Sequence, residues 1–302
     1  MRILVSGSSG LMGSALIPSL TSAGHDVVRL VRSKSASPSK ELVSWDPAKN
    51  QIDAAGLSGI DACVHLAGES IASGRWNAER KAKIRDSRVS GTRLLTETLA
   101  RVAPPKVFAC ASAIGFYGDR GDEVLSESSP PGTGFLPDVC REWEAACQPL
   151  ANAGSRVVNL RFGVVLSHRG GALKQMLLPF KMGAGGILGN GRQYMSCVAL
   201  DDAVGIIEFA LSNDAVRGPI NVVCPQPVTN YEYTKSLGKV LGRPTIFPVP
   251  GFAARLAFGE MADALLLSSA RVVPDRLVAA GYQFRHPTLE GSLRSALQSN
   301  SR

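Results

Sequence analysis

The sequence has little that would anchor, staple or metallate it. No run of about 18 apolar residues occurs, which excludes a membrane-spanning helix, and no membrane partner is expected. The apolar start, Met1 to Leu16, is interrupted by Gly7, Gly10 and Gly13 and has no cleavage site, so it does not read as a signal peptide. Six cysteines (Cys63, Cys110, Cys140, Cys147, Cys197 and Cys224) form no Cys-x-x-Cys pair. Several sit in apolar runs such as Val107 to Ala111, which predicts buried, reduced thiols in a cytoplasmic protein without disulfides or zinc. His25, His65, His168 and His286 show no metal-ligand spacing, and no nucleophile elbow appears, so neither a metal nor hydrolase chemistry is predicted. Aromatic residues make up 6 % and do not interleave with the basic ones. A net charge of +8 therefore points to acidic ligands, a phosphate-rich cofactor among them, and no nucleic-acid partner is expected.

What the sequence does have is an alternation of strands and helices. Arg2 to Ser6, Asp26 to Val31, Leu42 to Trp45, Asp61 to Leu66, Val107 to Ala111 and Arg156 to Leu160 read as strands. Between them, Leu11 to Ala23, Asn77 to Val102 and Leu136 to Leu150 read as helices, the second stopped by Pro104-Pro105. This rhythm predicts an α/β fold: a Rossmann-type, doubly wound parallel sheet over residues 1–166, with 196–224 returning to it. Residues 167–195 are glycine-rich around the apolar patch Met176 to Phe180. With 225–302 they are expected to form a smaller, mostly helical C-terminal substrate lobe.

Gly7-Ser8-Ser9-Gly10-Leu11-Met12-Gly13 stands between the first strand and the first helix. There Gly7 permits a tight turn, Gly10 lets the backbone approach a pyrophosphate, and Gly13 allows close helix packing. Free N–H groups at the helix start, helped by its dipole, face the anion. An NAD-preferring site places Asp or Glu at the tip of the second strand. Here the tip reads Val31-Arg32-Ser33-Lys34. The guanidinium of Arg32, with Ser33 beside it, suits a 2′-phosphate, so NADP(H) is the predicted cofactor.

The chain resembles the extended short-chain dehydrogenase/reductase superfamily, in its NAD-dependent epimerase/dehydratase group. The signs are the Gly-x-x-Gly-x-x-Gly turn, His65-Leu66-Ala67-Gly68 after a strand, Tyr117-Gly118, and Val198 to Asp202. It is similar in particular to an uncharacterised epimerase-family branch with a C-terminal domain of unknown function. That likeness rests on Ala67-Gly68-Glu69-Ser70-Ile71, Arg75-Trp76, Trp143-Glu144-Ala145-Ala146 and Gly259-Glu260-Met261. The resemblance implies that Gly7, Ser8, Ser9, Gly10, Leu11 and Met12 hold the pyrophosphate, with Arg32 and Ser33 on the 2′-phosphate. It places Leu66, Ala67 and Gly68 on the adenosine and ribose side and Val165 near the nicotinamide. Arg88 replaces an Asn common in such relatives; it either reaches a phosphate, orders a loop, or is one more exposed helix charge.

The same resemblance exposes a gap. Active members use a Tyr-x-x-x-Lys helix for proton transfer. Aligned through Trp143-Glu144, those positions fall near Leu136 and Cys140. The Tyr231 to Lys235 spacing lies outside the expected strand–helix context. The preferred reading is an NADP(H)-dependent oxidoreductase or epimerase with substituted groups, with Ser112 and Tyr117 as catalytic candidates. Glu69, Arg161 and Arg192 are then the substrate-side candidates. The alternative is a non-catalytic NADP(H)-binding sensor or interaction protein. Asp201 and Asp202 read as a helix cap. The substrate is left open, and a homodimer is a possible assembly.

Overall fold

Ile3, Leu4 and Val5 are fully buried, as a strand sandwiched between two helix layers requires. The computed structural model describes residues 1–32 and 41–298. In chain order its elements begin with β1 (Arg2–Ser6), α1 (Leu11–Ser22), β2 (Asp26–Val31), β3 (Leu42–Asp46), β4 (Gln51–Ile52) and β5 (Ala62–His65). There follow α2 (Ala78–Val102), β6 (Val107–Ala113), β7 (Val124–Leu125), α3 (Phe135–Ala145), α4 (Gln148–Asn152), β8 (Arg156–Phe162) and β9 (Val164–Leu166). The last third holds α5 (Gly171–Lys181), β10 (Tyr194–Met195), β11 (Cys197–Ala199), α6 (Leu200–Ser212), β12 (Gly218–Val222), β13 (Val228–Thr229) and α7 (Asn230–Leu241). It ends with α8 (Gly251–Phe258), a π-helical turn (Ala262–Leu267), β14 (Arg271–Val272), α9 (Asp275–Ala279) and α10 (Leu289–Gln298).

The main sheet has eight strands in the order β12-β8-β6-β5-β1-β2-β3-β4. All neighbours are parallel except β3 and β4. The order reverses between β1 and β5, the switch point where an open α/β sheet leaves a crevice at its carboxyl edge. One face of the sheet packs on α1 and α6 through Leu16, Leu20, Val204 and Ile207. The other packs through Leu95, Leu99, Trp143 and Leu150 from α2, α3 and α4. A separate core joins Leu173, Leu177 and Phe180 of α5 to Tyr233, Leu237 and Leu293.

Two sequence expectations change. The helix predicted over Leu136 to Leu150 is two helices, α3 and α4, because Pro149 at the start of α4 cannot donate back into α3. The apolar patch Met176 to Phe180, in the lobe expected to be mostly helical, does lie in a helix, with Leu173, Leu177 and Phe180 recurring on one buried face. Asp201 and Asp202 do not cap α6: the N-cap is Ala199, and both carboxylates sit inside the first turn. There Asp202, fully buried, accepts the backbone N–H groups of Arg285 and His286 at 2.8 and 2.9 Å. It ties the C-terminal segment to the sheet, and the helix dipole stabilises its charge.

Candidate functional site

At the end of β1 the backbone turns at Gly7, whose φ of +65° only glycine adopts without strain. The approach is tight: a Cβ on Gly7 would lie 2.7 Å from the Leu66 carbonyl carbon, and one on Gly13 would lie 2.3 Å from the Gly7 oxygen. Gly10 forms the N-cap of α1 and brings no side chain to its first turn. The Gly10 N–H is bonded to the Gly7 carbonyl at 3.0 Å, and Leu11 and Met12 present a helix start with no acidic residue in that turn, which favours an anion. Leu11 also meets Gly170 and Gly171, so the segment after Val165 folds back over the helix start.

Beside this turn the sheet register pairs Ser6 with His65. Ser6 Oγ accepts the amides of Leu66 and Ala67 at 3.0 and 3.2 Å. With both lone pairs used, its hydroxyl donates to His65 Nδ1 at 2.7 Å. His65 is fully buried between Trp45 and Phe108, and burial pushes its imidazole down to about 4. It is neutral at physiological pH. Ser6 and His65 thus fix the 66–67 backbone against Gly7, a role the sequence reading did not assign.

Gly68 sits against Arg88, whose guanidinium lies 3.5 Å from a Cβ position on that glycine and 5.1 Å from the Trp143 ring. Arg88 therefore faces inward against the 66–69 loop and is not one more exposed helix charge. Burial lowers its pKa. Glu69 pairs with Arg80 at 3.1 Å, and Arg80 also bonds the Ser70 carbonyl. Arg32 is exposed at the end of β2. Ser33 lies outside the described residues. Arg192 is exposed, far along the chain, in the turn before β10.

The second corner of the carboxyl edge is built differently. Register aligns Ser112, Arg161 and Asn221 on neighbouring strands β6, β8 and β12. Glu144 from α3 accepts Ser112 Oγ–H at 2.7 Å and both Nε and Nη2 of Arg161 at 2.8 and 2.9 Å. Arg161 Nη1 reaches Tyr117 Oη at 3.0 Å, and Tyr117 donates to Asn221 Oδ1 at 2.7 Å. Asn221 is held in turn by Glu127 and Val273. Tyr117 is fully buried, and burial raises its phenol pKa. Ser112, Arg161 and Tyr117 are thus brought together: Arg161 bonds Tyr117 directly, and Ser112 joins them through Glu144. Asn221 and Glu127 complete this network without any signal of sequence spacing.

Next to it, Leu136 and Cys140 pack against the strand end: Leu136 lies 3.5 Å from a Cβ position on Gly115, and Cys140 Sγ lies 3.8 Å from the Ala113 carbonyl. At these two positions α3 carries an alkyl group and a thiol. Burial pushes that thiol up to about 12.

A glycine turn at the switch point of a parallel sheet, opening a helix without a side-chain cap, defines a dinucleotide-binding α/β protein. Residues 3–224 match the model of the NAD dependent epimerase/dehydratase family, and residues 249–296 match a domain of unknown function, DUF1731. The chain is 43 % identical to epimerase family protein Mb2239 of Mycobacterium bovis, covering 96 % of both chains. It is 35 % identical to human epimerase family protein SDR39U1, covering 97 % of this chain and 99 % of the other. The crystal structure of human SDR39U1 (isoform 2) with NADPH superposes with a TM-score of 0.89, at 33 % identity and 99 % coverage of both. A UDP-N-acetylglucosamine 4-epimerase from Bacillus cereus, 17 % identical over the full length of both chains with a TM-score of 0.76, shares the fold. The chain belongs to the NAD dependent epimerase/dehydratase family.

Proposed function

We propose that this chain binds NADP(H) and that its function runs through occupancy by the nucleotide, without tyrosine-assisted hydride transfer. The observation that carries the binding is the uncapped helix start at Leu11 and Met12 behind the Gly7 turn, which suits a pyrophosphate in its chemistry. Arg32 at the tip of β2 suits a 2′-phosphate. Leu66, Ala67 and Gly68, held by Ser6 and backed by Arg88, would line the ribose side. NADPH, when bound, carries a hydride equivalent.

Leu136, Cys140 and Tyr117 give that hydride no matching proton donor. Leu136 has no acid, the Cys140 thiol is protonated and buried, and the Tyr117 hydroxyl is committed to Asn221. The enzyme reading retains one supporting observation: the Glu69 side chain is 37 % exposed beside Gly68, so a carboxylate is available at the cleft. The test is NADPH titration of purified protein followed by absorbance assays with sugar nucleotides, aldehydes and ketones. Bound NADPH that persists in every mixture is expected. Oxidation that disappears in Glu69→Gln would replace this reading with the oxidoreductase one.

A further inference from the structure

The C-terminal lobe carries an exposed apolar surface, whose α8 end meets the 75–81 segment through Arg75 on the Leu256 carbonyl and Lys81 on Glu260 at 2.6 Å. Ile246, Phe247, Phe252, Leu256 and Phe258 fall within thirteen residues, and the first four are more than half exposed, Phe252 and Leu256 at 71 % and 75 %. On α8, Phe252 and Leu256 are one turn apart and share the outward face, while Ala254 is buried beneath. Leu178 and Met182, also one turn apart, are exposed on α5. The two helices are joined through the chain segments between them. Leu188 bridges Val249, Gly189 N–H donates to the Val249 carbonyl at 2.9 Å, and Gly186 lies directly against the Phe247 carbonyl. Isolated apolar side chains on a surface need no explanation, but a concentration of this kind marks a contact.

Charge selects the partner. The segments around this surface, residues 167–200 and 233–259, contain no Asp or Glu, with Asp201, Glu232 and Glu260 standing at their ends. They contain Arg169, Lys174, Lys181, Arg192, Lys235, Lys239, Arg243 and Arg255. Two of these find acids outside the segments, Lys239 with Glu290 and Arg255 with Asp263. Lys174, Lys181 and Arg243 have no acidic partner among the described residues. A second copy of this chain would bring a like-charged surface against this one, at a net charge of +8 for each. Aliphatic and aromatic side chains framed by lysine and arginine match the boundary of an anionic bilayer, where apolar groups enter the acyl region and cations stay with the headgroups.

We infer that the α8 face, with residues 246–247 and the outer side of α5, is a peripheral docking surface for anionic lipid membranes. No helix among the described residues is long and apolar enough to cross a membrane, so this contact lies on the bilayer and does not span it.

The test is co-sedimentation of the full chain with vesicles of phosphatidylcholine alone and of phosphatidylcholine mixed with phosphatidylglycerol. Pelleting with the mixed vesicles only, weakening as salt rises, is expected. Phe252→Glu with Leu256→Glu lowers the partition about tenfold or more, and Lys181→Ala lowers it about fivefold. Both variants keep their thermal unfolding and NADPH titration, because these side chains lie on the surface and outside the nucleotide turn. Failure to pellet with the mixed vesicles at low salt overturns the inference, as does equal pelleting of the Phe252→Glu, Leu256→Glu variant. Dimerisation in light scattering that Phe252→Glu disperses, without vesicle binding, assigns the surface to a second copy instead.

Discussion

Two neighbouring corners of one sheet edge, joined by the pairing of β5 with β6, are finished in opposite ways. At the β1–β5 corner the polar groups are backbone amides at a helix start, and glycines keep side chains away from them. At the β6–β8 corner the polar groups are side chains, and they satisfy one another: Ser112 and Arg161 on Glu144, Tyr117 on Asn221. An unsatisfied helix start invites a ligand. A closed hydrogen-bond network has nothing left to offer a ligand and instead rigidifies the fold. On the function proposed above, the first corner is the binding site and the second supports it.

The largest expected effect comes from breaking the closed corner. Arg161→Met leaves the Glu144 carboxylate buried without its guanidinium and should cost about 3–5 kcal/mol in urea unfolding. NADPH affinity of the folded fraction should hardly change. A large loss of affinity with intact stability would show that this corner belongs to the binding site.

His65 sharpens the comparison through pH. Its folded-state pKa of about 4 lies below the ordinary 6.5, so between these values the unfolded chain binds a proton that the folded chain refuses. Stability is full above pH 6.5 and falls as pH drops toward 4, by roughly 3 kcal/mol from this group. His65→Asn keeps an acceptor for Ser6 and should flatten that acid limb of the stability curve. An unchanged slope would remove His65 from the account.

Gly13→Ala strikes the open corner. Its Cβ would meet the Gly7 carbonyl and the Ser8 Cα, at 2.3 and 2.7 Å, and the turn must shift. A destabilisation of about 1–3 kcal/mol with loss of NADPH binding is expected, measured by denaturation and calorimetry. Smallest is Tyr117→Phe: the loss of one bond to Asn221 and one from Arg161 should cost about 1–2 kcal/mol and leave NADPH binding in place.

The sheet and the glycine turn were legible because their signals are local. A buried apolar run, three glycines at fixed spacing and a following helix occupy the first 22 residues. The Pro149 break was present in the sequence too, but the apolar pattern of Leu136 to Leu150 continued across it and hid the boundary. Ser6 was visible only as the last residue of a strand; its partner His65 lies 59 positions away and reaches it through strand register. The second corner was less legible still. Ser112, Glu144, Arg161 and Asn221 come from four elements, and no spacing in the chain announces that Glu144 is the shared acceptor. Leu136 and Cys140 share α3 with Trp143 and Glu144, so their spacing from that pair could be read along one helix.

The central claim is the open corner, and isothermal titration of NADPH and NADH into the wild-type chain and Arg32→Ala tests it most directly. The account predicts that NADPH binds the wild type at least about tenfold more tightly than NADH, and that Arg32→Ala removes most of this difference while leaving NADH unchanged. Binding of neither nucleotide, or an equal loss of both in Arg32→Ala, would contradict it.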